Sequence, residues 1–195
     1  PRTGRPLSTG IQRRKARKYD SDEGPWLKIP IESILDLARG EISHVLIEWK
    51  DAEKKLTQRD GVRALPRLTG GQRHAANSVL LEVLQSDDSD LRCSALKAMP
   101  GCAQRCSDGL FETLEELVYD DEEVVRKAAA EALVLVADTH PSGVEHIVQN
   151  AVRSHETVLR EAGWKAMRLL ADDWPDRATE LIDMLLREED VEETV

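Results

Sequence analysis

Asp90–Met99 reads DLRCSALKAM, Val124–Leu133 reads VVRKAAAEAL, and Val158–Met167 reads VLREAGWKAM; the three align without gaps at a spacing of 34 residues. Arg92, Arg126 and Arg160 superpose, as do Leu91, Val125 and Leu159. Small residues follow at 94/128/162 (Ser, Ala, Ala) and 95/129/163 (Ala, Ala, Gly), then Ala98, Ala132 and Ala166, then Met99, Leu133 and Met167. Such spacing draws one small, apolar face of a helix. The downstream halves keep the register, with Leu114, Val148 and Ile182, then Leu117, Ala151 and Leu185, then Val118, Val152 and Leu186. One period earlier stand Leu80, Val83 and Leu84, the second helix of a unit whose first helix, near Asp60–Leu68, is degenerate. The units are therefore 57–85, 86–119, 120–153 and 154–188.

A sustained period of this length marks a repeat array. Each unit is two helices joined by a short turn carrying Pro or Gly. Small residues on the first helix admit its partner closely, and the apolar stripe on the second faces the neighbouring units. One unit alone cannot bury both faces, so stacking is obligatory. Asp88, Glu122 and Glu156 sit in the first turn, where they favour the helix dipole. Each lies four residues before the repeated Arg, so an i, i+4 pair worth about 0.2–0.5 kcal/mol is expected in each unit. The arginines read as structural.

The pattern D/E-x-x-[VL]-R-x-x-A-x-x-A-[LM], followed by L-x-x-L-[VL], resembles the HEAT repeat in a short form, over about residues 57–188. Tetratricopeptide repeats share the period, but their Trp, Leu-Gly and Tyr positions are absent here. The resemblance implies an all-α, right-handed α-solenoid of stacked antiparallel helix pairs, with the second helices on its concave side. It also implies a surface for other macromolecules rather than a particular chemistry.

Ahead of the repeats, residues 25–56 read as an N-terminal helical cap. IPIESILDLARG forms a helix stopped by Gly40, and Glu41–Leu56 a second one with Ile42, Val45, Leu46 and Trp49 on one side. No stretch sustains a period-2 alternation with β-branched enrichment, so no strand is expected.

Charge divides the chain. Of 27 basic and 37 acidic residues, Arg2, Arg5, Arg13, Arg14, Lys15, Arg17 and Lys18 fall within residues 1–19, which hold no acid. The remainder carries a net −17. Residues 1–24 read as a flexible basic arm and its linker, too poor in apolar groups to offset the entropy of ordering. Arg2-Thr3-Gly4-Arg5-Pro6 partly resembles an AT-hook core, and Ile11–Lys18 is the denser electrostatic patch. Three fates stand for the arm: contact with DNA or RNA phosphates, solvation, or folding back on the acidic body.

On the second helices the outward columns are Glu112, His146 and Glu180, then Glu115, Gln149 and Asp183, then Glu116, Asn150 and Met184; Glu145 adds to them. From these, Glu112, Glu115, Glu116, Glu145, His146, Gln149, Glu180 and Asp183 form the expected partner-binding face. An acidic face prefers a protein partner with a basic segment, or the chain's own arm, and repels nucleic acid. The alternative is an ordinary solvated surface kept soluble by charge.

Chemistry finds little support. Cys102 and Cys106 have the spacing of half a metal site, which Cys93 and His74 would complete, but Cys102 shares the core column of Val136 and Leu170. No phosphate-cradling glycine motif or HExxH occurs. No catalytic residue, metal or cofactor is expected. With only seven aromatic residues, a base-stacking sheet is excluded. Through the fold resemblance alone, an alkylation-repeat DNA glycosylase is the alternative function, with Trp164, Arg168, Asp172, Asp173 and Trp174 as its cluster; a bilin lyase has no marked chromophore site. Few, uneven cysteines and no apolar run of membrane length point to a cytoplasmic protein outside the membrane, of open oligomeric state.

Overall fold

The computed structural model describes residues 29–183 apart from Asp51, Cys106, Trp174 and Arg177. The arm, its seven basic residues, and Met184, Leu185 and Leu186 lie outside the described residues. The described residues open with α1 (Ile31–Arg39) and a hairpin of β1 (Val45–Trp49) and β2 (Ala52–Leu56). Then come α2 (Gln58–Ala64), α3 (Arg73–Leu84), α4 (Ser89–Ala103), α5 (Leu110–Leu117), α6 (Glu123–Ala137), α7 (Pro141–Val152) and α8 (Thr157–Asp173). Residues 178–183 are helical again.

α1 ends as read: Gly40 takes φ 80, and its turn sends backbone N–H groups to Asp36 O and Leu37 O. The helix expected over Glu41–Leu56 is instead an antiparallel hairpin, registered from Val45↔Leu56 to Trp49↔Ala52. VLIEW is apolar and partly β-branched, and its exposure alternates, Val45 and Ile47 half-buried against exposed Leu46 and Glu48. A period-3.6 reading of Ile42, Val45, Leu46 and Trp49 concealed that alternation. Lys50 supplies the positive φ, 51°, that a two-residue turn between twisted strands requires. A lone hairpin is marginal in water. Leu56, fully buried, and the half-buried Val45 and Ile47 anchor this one to the core.

The four helix pairs share one register. Gly61, Ala95, Ala129 and Gly163 are all buried, as are Ala64, Ala98, Ala132 and Ala166. Leu65, Met99, Leu133 and Met167 stand at 2% exposure or less, and Leu68, Cys102, Val136 and Leu170 form the next buried column. The degenerate first helix thus keeps these four columns. It departs in Gln58 for the repeated Arg, in Thr57 and Asp60 where the other units carry Leu or Val and a small residue, and in its C-terminal end, which passes into a 3₁₀ turn, Leu65–Arg67, although Pro100 in the column of Pro66 lies inside α4. Each first helix packs on the next, α2 on α4, α4 on α6 and α6 on α8, while second helices fill the gaps between them. One continuous aliphatic core runs through the stack.

The repeated arginines are structural, but not through the expected i, i+4 pairs. Arg92 donates to Ser86 O at 2.7 Å and Asp120 Oδ1 at 3.1 Å. Arg126 donates to Asp120 O at 2.7 Å, Asp121 O at 2.9 Å and Glu156 Oε1 at 3.1 Å. Arg160 donates to Ser154 O at 2.8 Å and His155 O at 3.2 Å. Each guanidinium satisfies carbonyls of the loop before its own helix, and two reach an acid of the following repeat. A planar fork of donors does both tasks at once. Asp88 is free to cap α4 instead, accepting from Asp90 N and Leu91 N. Among the described residues, no helix is long and apolar enough to cross a membrane.

Candidate interaction face

The second helices α3, α5 and α7 bury one stripe each: Ala76, Val79, Leu80, Val83 and Leu84; Leu110, Thr113, Leu114, Leu117 and Val118; Val144, Ile147, Val148, Ala151 and Val152. In the fourth unit Ala178 and Leu181 continue it. Because the stripe repeats without slip, the intervening positions all point to one side. Glu112, Glu116, His146, Glu180 and Asp183 are exposed there, and Glu115, Glu145 and Gln149 are half-buried. These eight residues thus lie on the side of the second helices away from the buried stripe, with exposed Ser78, Glu82 and Asn150 beside them. Glu115 and His146 meet across neighbouring repeats, Oε2 to Nε2 at 3.0 Å. Glu112, Glu116 and Asp183 face no cation among the described residues.

Two features that sequence reasoning missed shape this face. Phe111 lies on Gly143, where a Cβ would come within 2.2 Å of the ring, and its ring centroid is 5.9 Å from that of His140. The contact fixes α5 against the first turn of α7. Its signal was a glycine two residues after a helix-starting proline, one period beyond Gly109. The second feature is an open cleft of about 350 Å³ at the inter-repeat loops, lined by Asp87, Arg92, Glu116, Asp120 and Asp121. Glu116 belongs to both cleft and face, so the acidic surface continues round the helix ends. Asp120 is held by Arg92, both side chains 13% exposed. The loop acids lie one period apart, at 87 and 121, but outside the helical columns.

Burial pushes the Cys93 thiol above its ordinary value, against the opposing influence of Lys97. A hydrogen bond from Lys127, aided by that ammonium's charge, holds the Glu123 carboxyl below the usual range. Cys102 is buried in its core column, while Cys106 lies outside the described residues. Of the glycosylase-like cluster, Trp164, Arg168 and Asp172 are exposed on α8. Trp164 is 45% exposed, although Val62, Leu96 and Ala130 of the same column are at most 2%. Those three are covered by the following repeat, and none follows α8 among the described residues.

Residues 77–168 match the HEAT repeat family. A crystal structure of an engineered protein from the Northeast Structural Genomics Consortium is similar in fold, with a TM-score of 0.50 and 20% identity over 78% of this chain. This chain spans 66% of that protein's length. No curated protein matches.

Proposed function

We propose, from the premise that residues 77–168 match the HEAT repeat family, that the protein is a non-catalytic interaction module whose second-helix face receives a basic segment of a protein partner. HEAT repeats serve protein–protein scaffolding, which supports the general class. The observation that carries the finer reading is the charge of the outward columns. Glu82, Glu112, Glu115, Glu116, Glu145, Glu180 and Asp183 stand together there, with Arg39 beside Glu82 and His146 beside Glu115. A surface of one sign raises the encounter rate of an oppositely charged segment and disfavours like-charged ones.

The arm supplies a second, opposite element. Arg2, Arg5, Arg13, Arg14, Lys15, Arg17 and Lys18 suit duplex or structured RNA phosphates and would tether the module to nucleic acid. Binding of the intact chain to mixed duplex DNA and to structured RNA across a salt series tests the tether. If all seven charges contact duplex phosphates, the slope of log K against log salt approaches about −6. Replacing the seven by Gln removes the binding, whereas an arginine-rich peptide still binds the body. Nucleic-acid binding that survives the replacement, or a body that ignores the peptide, contradicts the assignment.

A further inference from the structure

We infer that Ile11–Lys18 of the arm occupies the second-helix face in cis, so that the chain screens its own binding face until a partner's basic segment displaces it. The inference rests on the proposed role of that face.

Complementarity comes first. Ile11–Lys18 carries five cations and no acid. Across from it, Glu112, Glu116 and Asp183 are exposed acids without a cation among the described residues. Reach comes second. Ten residues separate Lys18 from Ile29, the first described residue. Extended, they span about 33–36 Å. Neighbouring helices lie roughly 8–10 Å apart, so the patch can reach any of the four second helices. Entry point comes third. α1 packs on both α2 and α3, which brings the chain into the stack beside the first second helix. There, a basic side chain from the N-terminal segment already lies on the acidic column: Arg39 Nε stands 3.5 Å from Glu82 Oε2. Glu82 is one period from Glu116. The arm would extend that pairing along the same column. Tethering favours it strongly, because a segment joined to its site by a short stretch of the same chain is held at an effective concentration of about 1 mM.

The test uses full-length chains and a fluorescein-labelled peptide with the sequence of Ile11–Lys18, read by anisotropy in low salt. A second chain carries Arg13, Arg14, Lys15, Arg17 and Lys18→Gln. A third and fourth add Glu112→Gln, Glu116→Gln and Asp183→Asn to each. For a peptide that binds the bare face at about 0.1 mM, a cis competitor at about 1 mM weakens its apparent affinity about tenfold. The peptide is therefore expected to bind the arm-neutralised chain about tenfold tighter than the intact one. The gap should close at high salt, where the screening length falls to about 3 Å at 1 M, and vanish in both face variants. Equal affinities for intact and arm-neutralised chains overturn the cis contact while leaving the face reading in place. A gap that shrinks on dilution of the protein places the arm on a second copy and likewise overturns it. A peptide that binds neither chain removes the face reading and this inference together. Circular dichroism of each variant confirms that the helices are retained.

Discussion

Gly163→Ala inverts an otherwise favourable substitution. Gly163 lies where α8 crosses α7, and a Cβ there would stand 2.7 Å from Val152 N, 2.9 Å from Ala151 C and 3.0 Å from Ala151 Cβ. Favourable contacts between such atoms begin at about 3.5 Å, so the two helices must part by roughly 0.5–1 Å. In an unobstructed helix interior, Gly→Ala stabilises by about 0.8–1 kcal/mol. Overpacking typically costs about 1–3 kcal/mol. Two of the three obstacles are backbone atoms that no rotamer change can remove, so the upper part of that range applies. The net expectation is a loss of about 1–2 kcal/mol. For a chain of this size each kcal/mol moves Tm by about 2–4 °C, so the variant should melt about 2–8 °C lower. Thermal unfolding followed by circular dichroism measures this. Gly71→Ala, where nothing lies within 4 Å of the added Cβ, is the control and should not fall with it. A Gly163→Ala chain as stable as the parent, or more so, would refute the close crossing of α7 and α8.

Other outcomes follow from the same stack. Arg126→Ala strands the Asp120 and Asp121 carbonyls and Glu156, costing about 1–3 kcal/mol; Arg126→Lys should recover less than half in urea unfolding, because an ammonium cannot span both directions. Leu96→Ala should cost about 2–5 kcal/mol, whereas Trp164→Ala in the same column should cost less than about 1 kcal/mol, close to an ordinary surface change. Comparable losses would mean that something covers Trp164. The raised Cys93 thiol holds less thiolate at pH 8 than the same thiol in the unfolded chain. Peptide-mapped alkylation of Cys93 should therefore be slower in buffer than in urea and keep rising with pH beyond the unfolded thiol's titration; identical profiles would remove the burial effect.

The repeat register was legible because core columns are set by volume and polarity, which sequence states directly. It extended further than the sequence reading allowed. Gly61, Val62, Ala64 and Leu65 keep the columns of Ala95, Leu96, Ala98 and Met99, yet the missing Arg at position 58 disguised them. The hairpin was illegible for a different reason: in Val45–Trp49, helical and strand periods both find apolar partners over five residues, and only packing under Leu56 decides. The arginine ladder needed three dimensions, since its acids lie 28 and 30 residues away, at Asp120 and Glu156. The outward second-helix columns were readable because they are what the buried stripe leaves over. The loop cleft was not, because its acids belong to no helical period.

The most direct test is amide and side-chain NMR of the arm-neutralised chain titrated with an arginine-rich peptide. Shifts are expected at Glu112, Glu115, Glu116, His146 and Gln149 on the second helices. Glu123, Lys127 and Glu131, exposed on the outer side of α6, should stay still. Shifts centred on α6, or none at peptide excess, would contradict an acidic second-helix face that receives basic segments.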